Sequence, residues 1–83
     1  MNIQLPPIIV RSPKIEFVKE ALAHLFGVDC VKECSFEENN TAYIKFSPMQ
    51  SSLCTTFYSK LSGKVEFTYN GYTYFAISQY LNI

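Results

Sequence analysis

The side chains best suited to covalent or acid–base chemistry here are three cysteines, Cys30, Cys34 and Cys54, and a single histidine, His24. A hydrolase needs a nucleophile, a base and a group that orients the base. No local motif joins His24 to Cys30 or Cys34 in that way. His24 follows Glu20 at the i,i+4 spacing of a helix, the pattern of a solvated surface pair. A zinc site takes about four ligands, usually with pairs in close spacing, and the chain has no C-x-x-C. An odd number of cysteines cannot all pair within one chain. The expectation is reduced thiols acting as small hydrophobes in a reducing compartment, cytoplasmic or nuclear. Glu37 and Glu38 precede Asn39-Asn40 in a turn and read as solvent-facing charge. With no phosphate-cradling glycine loop and no inward carboxylate pair, the reading is a non-enzyme with no cofactor and no metal.

What remains is recognition. Thr41, Tyr43 and Lys45 alternate with Ala42, Ile44 and Phe46, the period-two pattern of a strand with one face buried. That leaves a hydroxyl, an aromatic ring and an ammonium on the opposite face. Tyr72 and Tyr74, in a second aromatic-rich stretch, add rings that serve either cross-strand packing or a contact surface. The candidate binding residues are therefore Thr41, Tyr43, Lys45, Tyr72 and Tyr74.

The chain has 83 residues, enough for one domain with a modest core. Seven basic and seven acidic side chains cancel, which removes the strong field that drives non-specific phosphate binding. Residues 1–11 contain Pro6-Pro7 and no long apolar run, so neither a signal peptide nor a membrane span is expected.

These residues need elements to hold them. Residues 1–7 read as an extended arm, since Pro6-Pro7 block regular pairing. Ile8–Arg11 is a short buried strand. Ser12-Pro13 then offers a cap and a first helical residue for a helix over Pro13–Phe26, with an apolar stripe at Ile15, Val18, Leu22, Leu25 and Phe26. Gly27 ends it in the left-handed conformation. A second strand lies within Val28–Phe36 and a third at Thr41–Phe46. Register between them depends on the turn. An even loop puts Cys34 and Phe36 with Tyr43; an odd loop, the favoured one, puts them with Ala42, Ile44 and Phe46.

Ser47-Pro48 repeats the cap signal, predicting a second helix over Pro48–Leu61 with Met49, Leu53, Phe57 and Leu61 inward. Asn70-Gly71 is the strongest turn signal in the chain. It pairs Tyr69 with Tyr72, Phe67 with Tyr74 and Val65 with Ala76 within Lys64–Ile77. Residues 78–83 form a short tail, with Tyr80, Leu81 and Ile83 able to pack. The order is that of an α+β, ferredoxin-like β-α-β-β-α-β sandwich: an antiparallel sheet, two helices on one face and an extra C-terminal hairpin strand.

Ala42-Tyr43-Ile44-Lys45-Phe46 resembles the second half of the RNP1 signature of the RNA-recognition motif, and Leu61-Ser62-Gly63 resembles that family's L-x-G. The likeness covers about Ile8 to Ile77. Asn39, Asn40 and Thr41 stand where RNP1 opens with a basic residue, glycine and an aromatic, and Ile8–Arg11 lacks the RNP2 aromatic. The resemblance implies an RRM-like fold and a sheet-face partner, with Tyr43 as the matched stacking position. Three readings follow. One is a small binding module contacting a protein or, weakly, single-stranded RNA. Another is a stand-alone viral or phage accessory protein that inhibits a host factor, as anti-CRISPR-like proteins do. The last is a self-associating homodimer.

Overall fold

Ile8–Arg11 forms the middle of the sheet, and its alternation explains the placement. Ile8 and Val10 are fully buried while Arg11 is exposed, so one face of this strand meets the core and the other does not. The computed structural model describes residues 2–50, 52, 55 and 64–78. Its strands in chain order are β1 (Asn2–Ile3), β2 (Ile8–Arg11), β3 (Val31–Glu37), β4 (Thr41–Phe46), β5 (Met49–Gln50), β6 (Lys64–Tyr69) and β7 (Tyr72–Ser78); the α-helix α1 spans Val18–Phe26. Five strands make one antiparallel sheet in the order β3-β4-β2-β7-β6, and β1 and β5 pair separately. The protein is thus α+β, with α1 packed on one sheet face.

The helix starts later than its cap signal predicts. Ser12 Oγ accepts a hydrogen bond from the Lys14 N–H at 3.1 Å, which closes a turn rather than opening a helix. A 3₁₀ turn over Ile15–Phe17 follows, and the α-helix begins at Val18. Val18, Ala21 and Leu22 are fully buried, with Ile15, Leu25 and Phe26 packed against that core. Gly27 ends the helix at φ 80°, as expected, its N–H donating to Ala23 O at 2.7 Å.

The β3–β4 register is the favoured one. Cys34 lies opposite Ile44 and Phe36 opposite Ala42, around a three-residue turn in which Asn39 and Asn40 take positive φ. A bulge at Lys32 shifts the register between Val31 and Glu33. It lets both Val31 and Cys34 face the core, which an unbroken period of two would forbid. Phe36 shares the inward face but stays 57% exposed, because β3 is an edge strand and Phe36 lies near its end.

The predicted helix over Pro48–Leu61 does not start at Ser47-Pro48. The Ser47 N–H donates to Cys30 O at 3.0 Å, and Met49–Gln50 is extended, pairing with Asn2–Ile3. Met49 is buried. Burial of Met49 and backbone pairing with the N-terminal arm outweigh a local cap signal worth about 1 kcal/mol. Ser52 and Thr55 are helical. The stripe residues Leu53, Phe57 and Leu61, the motif Leu61-Ser62-Gly63, Cys54 and the tail packing of Tyr80, Leu81 and Ile83 lie outside the described residues. The arm itself is extended and held down: Leu5 is buried and Gln4 Nε2 donates to Phe46 O at 2.9 Å.

The C-terminal hairpin pairs as its turn predicts, Tyr69 with Tyr72, Phe67 with Tyr74 and Val65 with Ala76. Asn70 and Gly71 have φ 52° and 82°, the two positive values of a type I′ turn. A Cβ on Gly71 meets nothing within 4 Å, so backbone strain at positive φ is what opposes a β-carbon there. Gly71→Val is expected to cost about 1–2 kcal/mol, lowering the melting temperature by roughly 4–8 °C per kcal/mol. Gly71→Asn, which tolerates this conformation, is expected to cost far less in the same thermal melt.

Candidate binding face

Cross-strand registers assemble the face of the sheet turned away from α1 into rows. One row reads Ser35, Tyr43, Ile9, Ile77, Lys64 across the five strands; the next reads Glu37, Thr41, Arg11, Phe75, Glu66. Neighbours in a row are about 4.5–5.5 Å apart. Glu33 and Lys45 are paired beside the first row. The centre is apolar and aromatic: Tyr43 and Ile9 are half-buried, Phe75 is 48% exposed and Ile77 38%. Charges of both signs surround it.

Several depressions mark this side, and two of them involve the predicted residues. One, about 340 Å³, lies where Tyr43, Lys45 and Glu33 meet Gln4 and Pro7 of the arm. The other, about 390 Å³, is floored by Ile9, Arg11, Thr41, Phe75 and Ile77. Lys45 Nζ stands 3.5 Å from Glu33 Oε2, both side chains more than half exposed, so the pair contributes little to stability but neutralises Lys45 locally.

Thr41, Tyr43 and Lys45 are therefore brought together on one face. Tyr72 and Tyr74 are not on it. Tyr74 belongs to the core: it is fully buried, its hydroxyl donates to Lys14 O at 2.8 Å, and its ring stacks on Phe67 with centroids 5.5 Å apart. It therefore has no surface for a partner. Tyr72 shares that helix-side face at the hairpin tip, exposed, with Lys14 Nζ 5.3 Å from its ring centroid. The residues that sequence reasoning missed are Ile9, Arg11, Phe75 and Ile77. The hairpin pairing already puts Phe75 and Ile77 on the face of Glu66 and Thr68. It does not say which hairpin face meets the helix. The polar partners Glu66 and Thr68 are the available signal that this face is the outer one.

The thiols behave as packing groups. Cys30 is buried, and burial first, then the charge of Asp29, push its thiol from the ordinary 9.0 up to about 11. Burial raises Cys34 as well, against the opposing charge of Lys19. Both are free, and a thiol protonated at neutral pH is a poor nucleophile. A raised pKa in the folded state means the stabilisation is complete below pH 9, where the unfolded chain's cysteine is also protonated. It is lost as pH rises from about 9 through 11. The urea midpoint is expected to fall over that window, and more shallowly in Cys30→Ala. His24 is exposed on α1, its ring centroid 5.5 Å from that of Tyr69, and lies on the helix side, away from the rows.

The fold and this face define a small α+β domain with one sheet side on which α1 does not pack. No helix among the described residues is long and apolar enough to cross a membrane. No protein-family model, curated protein or solved structure matches the chain.

Proposed function

We propose that this protein is a small non-enzymatic binding module that engages a protein partner through the sheet face opposite α1. The observation that carries the reading is the two-row arrangement: Tyr43, Ile9, Ile77 and Phe75 form a contiguous apolar centre ringed by Arg11, Lys45, Lys64, Glu33, Glu37 and Glu66. An apolar, aromatic centre with a polar rim is the anatomy of protein interfaces. An RRM-like topology is part of the proposal. Its support is that β2 and β3 both run antiparallel to β4, which lies between them, as in a split β-α-β unit.

Single-stranded RNA is the weaker occupant. Tyr43 and Phe75 offer stacking rings, but three glutamates share the face with the cations and oppose a phosphate chain. RNA affinity is expected to be micromolar at best and only mildly salt-dependent.

The test is affinity purification with wild type, Tyr43→Ala, Phe75→Glu and the outer-helix control Lys19→Ala. A stoichiometric protein that survives Lys19→Ala and is lost with the two face variants supports the reading. Retention by Phe75→Glu, or a nanomolar RNA complex that collapses between low and moderate salt, overturns it.

A further inference from the structure

Arg11 stands apart among the charges of the binding face. It sits on the central strand, between Thr41 and Phe75, and is exposed. Lys45 has Glu33 as its partner, whereas Arg11 makes no ion pair among the described residues. It also joins two depressions. The cleft over Ile9, Thr41 and Ile77 meets, at Arg11 and Phe75, a second one of about 230 Å³ reaching the Asn39-Asn40 turn. The result is an apolar floor with a guanidinium at its end.

We propose that this cleft is a subsite for an acidic–apolar element of the partner protein: a carboxylate held by Arg11, with the adjoining apolar side chain laid over Ile9, Ile77 and Phe75. The proposal rests on the binding-face reading and names the chemistry it recognises. A guanidinium presents paired donors that match a carboxylate in two parallel hydrogen bonds. Thr41 adds a hydroxyl beside it. The same row also sets the limit on the ligand. Glu37 and Glu66 lie two strands to either side of Arg11, at about 10 Å from it. A single carboxylate fits between them, while a phosphate chain that continues across the strands past Arg11 runs into one glutamate or the other. The aliphatic floor, with one aromatic ring, suits a side chain better than a run of stacked bases.

Selection from a displayed library of short linear peptides tests this, using wild type, Arg11→Gln and Phe75→Ser, each first checked by thermal melt; a uridine oligonucleotide is titrated in parallel. Wild type is expected to enrich peptides with Asp or Glu beside an apolar residue. For such a peptide, Arg11→Gln is expected to weaken binding at least about tenfold, as a charge-assisted bidentate pair requires. Changing the peptide's Asp to Asn is expected to weaken wild type equally and Arg11→Gln no further. Peptides without acidic preference that are lost on Phe75→Ser overturn the carboxylate subsite and leave the binding face standing. Peptides indifferent to both substitutions overturn both. An absence of enrichment overturns the subsite. So does a uridine oligonucleotide that binds more tightly than the selected peptides in an Arg11-dependent way.

Discussion

Tyr74→Ala is expected to lower the urea midpoint more than any other substitution proposed for this chain. Tyr74 is fully buried, stacks on Phe67, and ties the sheet to the start of the helical segment through its hydroxyl bond to Lys14 O. Truncating a buried aromatic to alanine costs about 3–5 kcal/mol. A chain of this size has a total stability of about 4–12 kcal/mol, so the loss consumes a large part of it. Tyr74→Phe separates the two contributions. It keeps the ring and leaves Lys14 O without its donor, for an expected cost of about 1 kcal/mol. Urea denaturation of the three proteins measures both. A Tyr74→Ala midpoint close to wild type would place this ring outside the core.

The second large effect comes from two identical neighbours. Ile8→Ala is expected to cost about 2–5 kcal/mol, because Ile8 is fully buried in the core with Ile44 beside it on the next strand. Ile9→Ala is expected to cost under about 1 kcal/mol, since Ile9 is half-buried on the opposite face. It is instead expected to weaken partner binding, as an apolar residue at the centre of the rows. Residue type and strand are the same in the pair, so the difference isolates which face is packed. Equal destabilisation by the two substitutions would mean that both faces of β2 are covered. The comparison needs two urea titrations and one binding measurement.

Local chemistry alone makes several elements legible. Asn70-Gly71 specifies the hairpin and its register, because few sequences accept two consecutive positive φ values. Gly27 marks the helix end for the same reason. The alternation of Thr41–Phe46 names both its buried and its outward residues, and Tyr43 and Lys45 do lie on the outer side. Local reasoning fails where two signals compete or where distant chain must arrive. Ser12-Pro13 and Ser47-Pro48 both read as helix openings. In one the serine closes a turn; in the other the chain is drawn into pairing with residues 2–3. Neither outcome is written in the neighbouring residues.

The binding face shows the same division. The α+β class, the pairing within the C-terminal hairpin and the outward residues of Thr41–Phe46 are readable from the chain, since they follow from backbone conformation and period-two geometry, whereas the β3–β4 register stays between two loop lengths. Which face of the C-terminal hairpin turns inward is not readable either. Tyr72, Tyr74 and Phe75 are all aromatic, so ring type does not decide it, and the polar partners Glu66 and Thr68 give only a local lean. The choice is made when β7 docks against β2, aligning Ala76 with Val10 and Phe75 with Arg11. Because a pleated strand sends alternate residues to opposite sides, that one registration buries Tyr74 beneath the helix and puts Phe75 beside the guanidinium of Arg11.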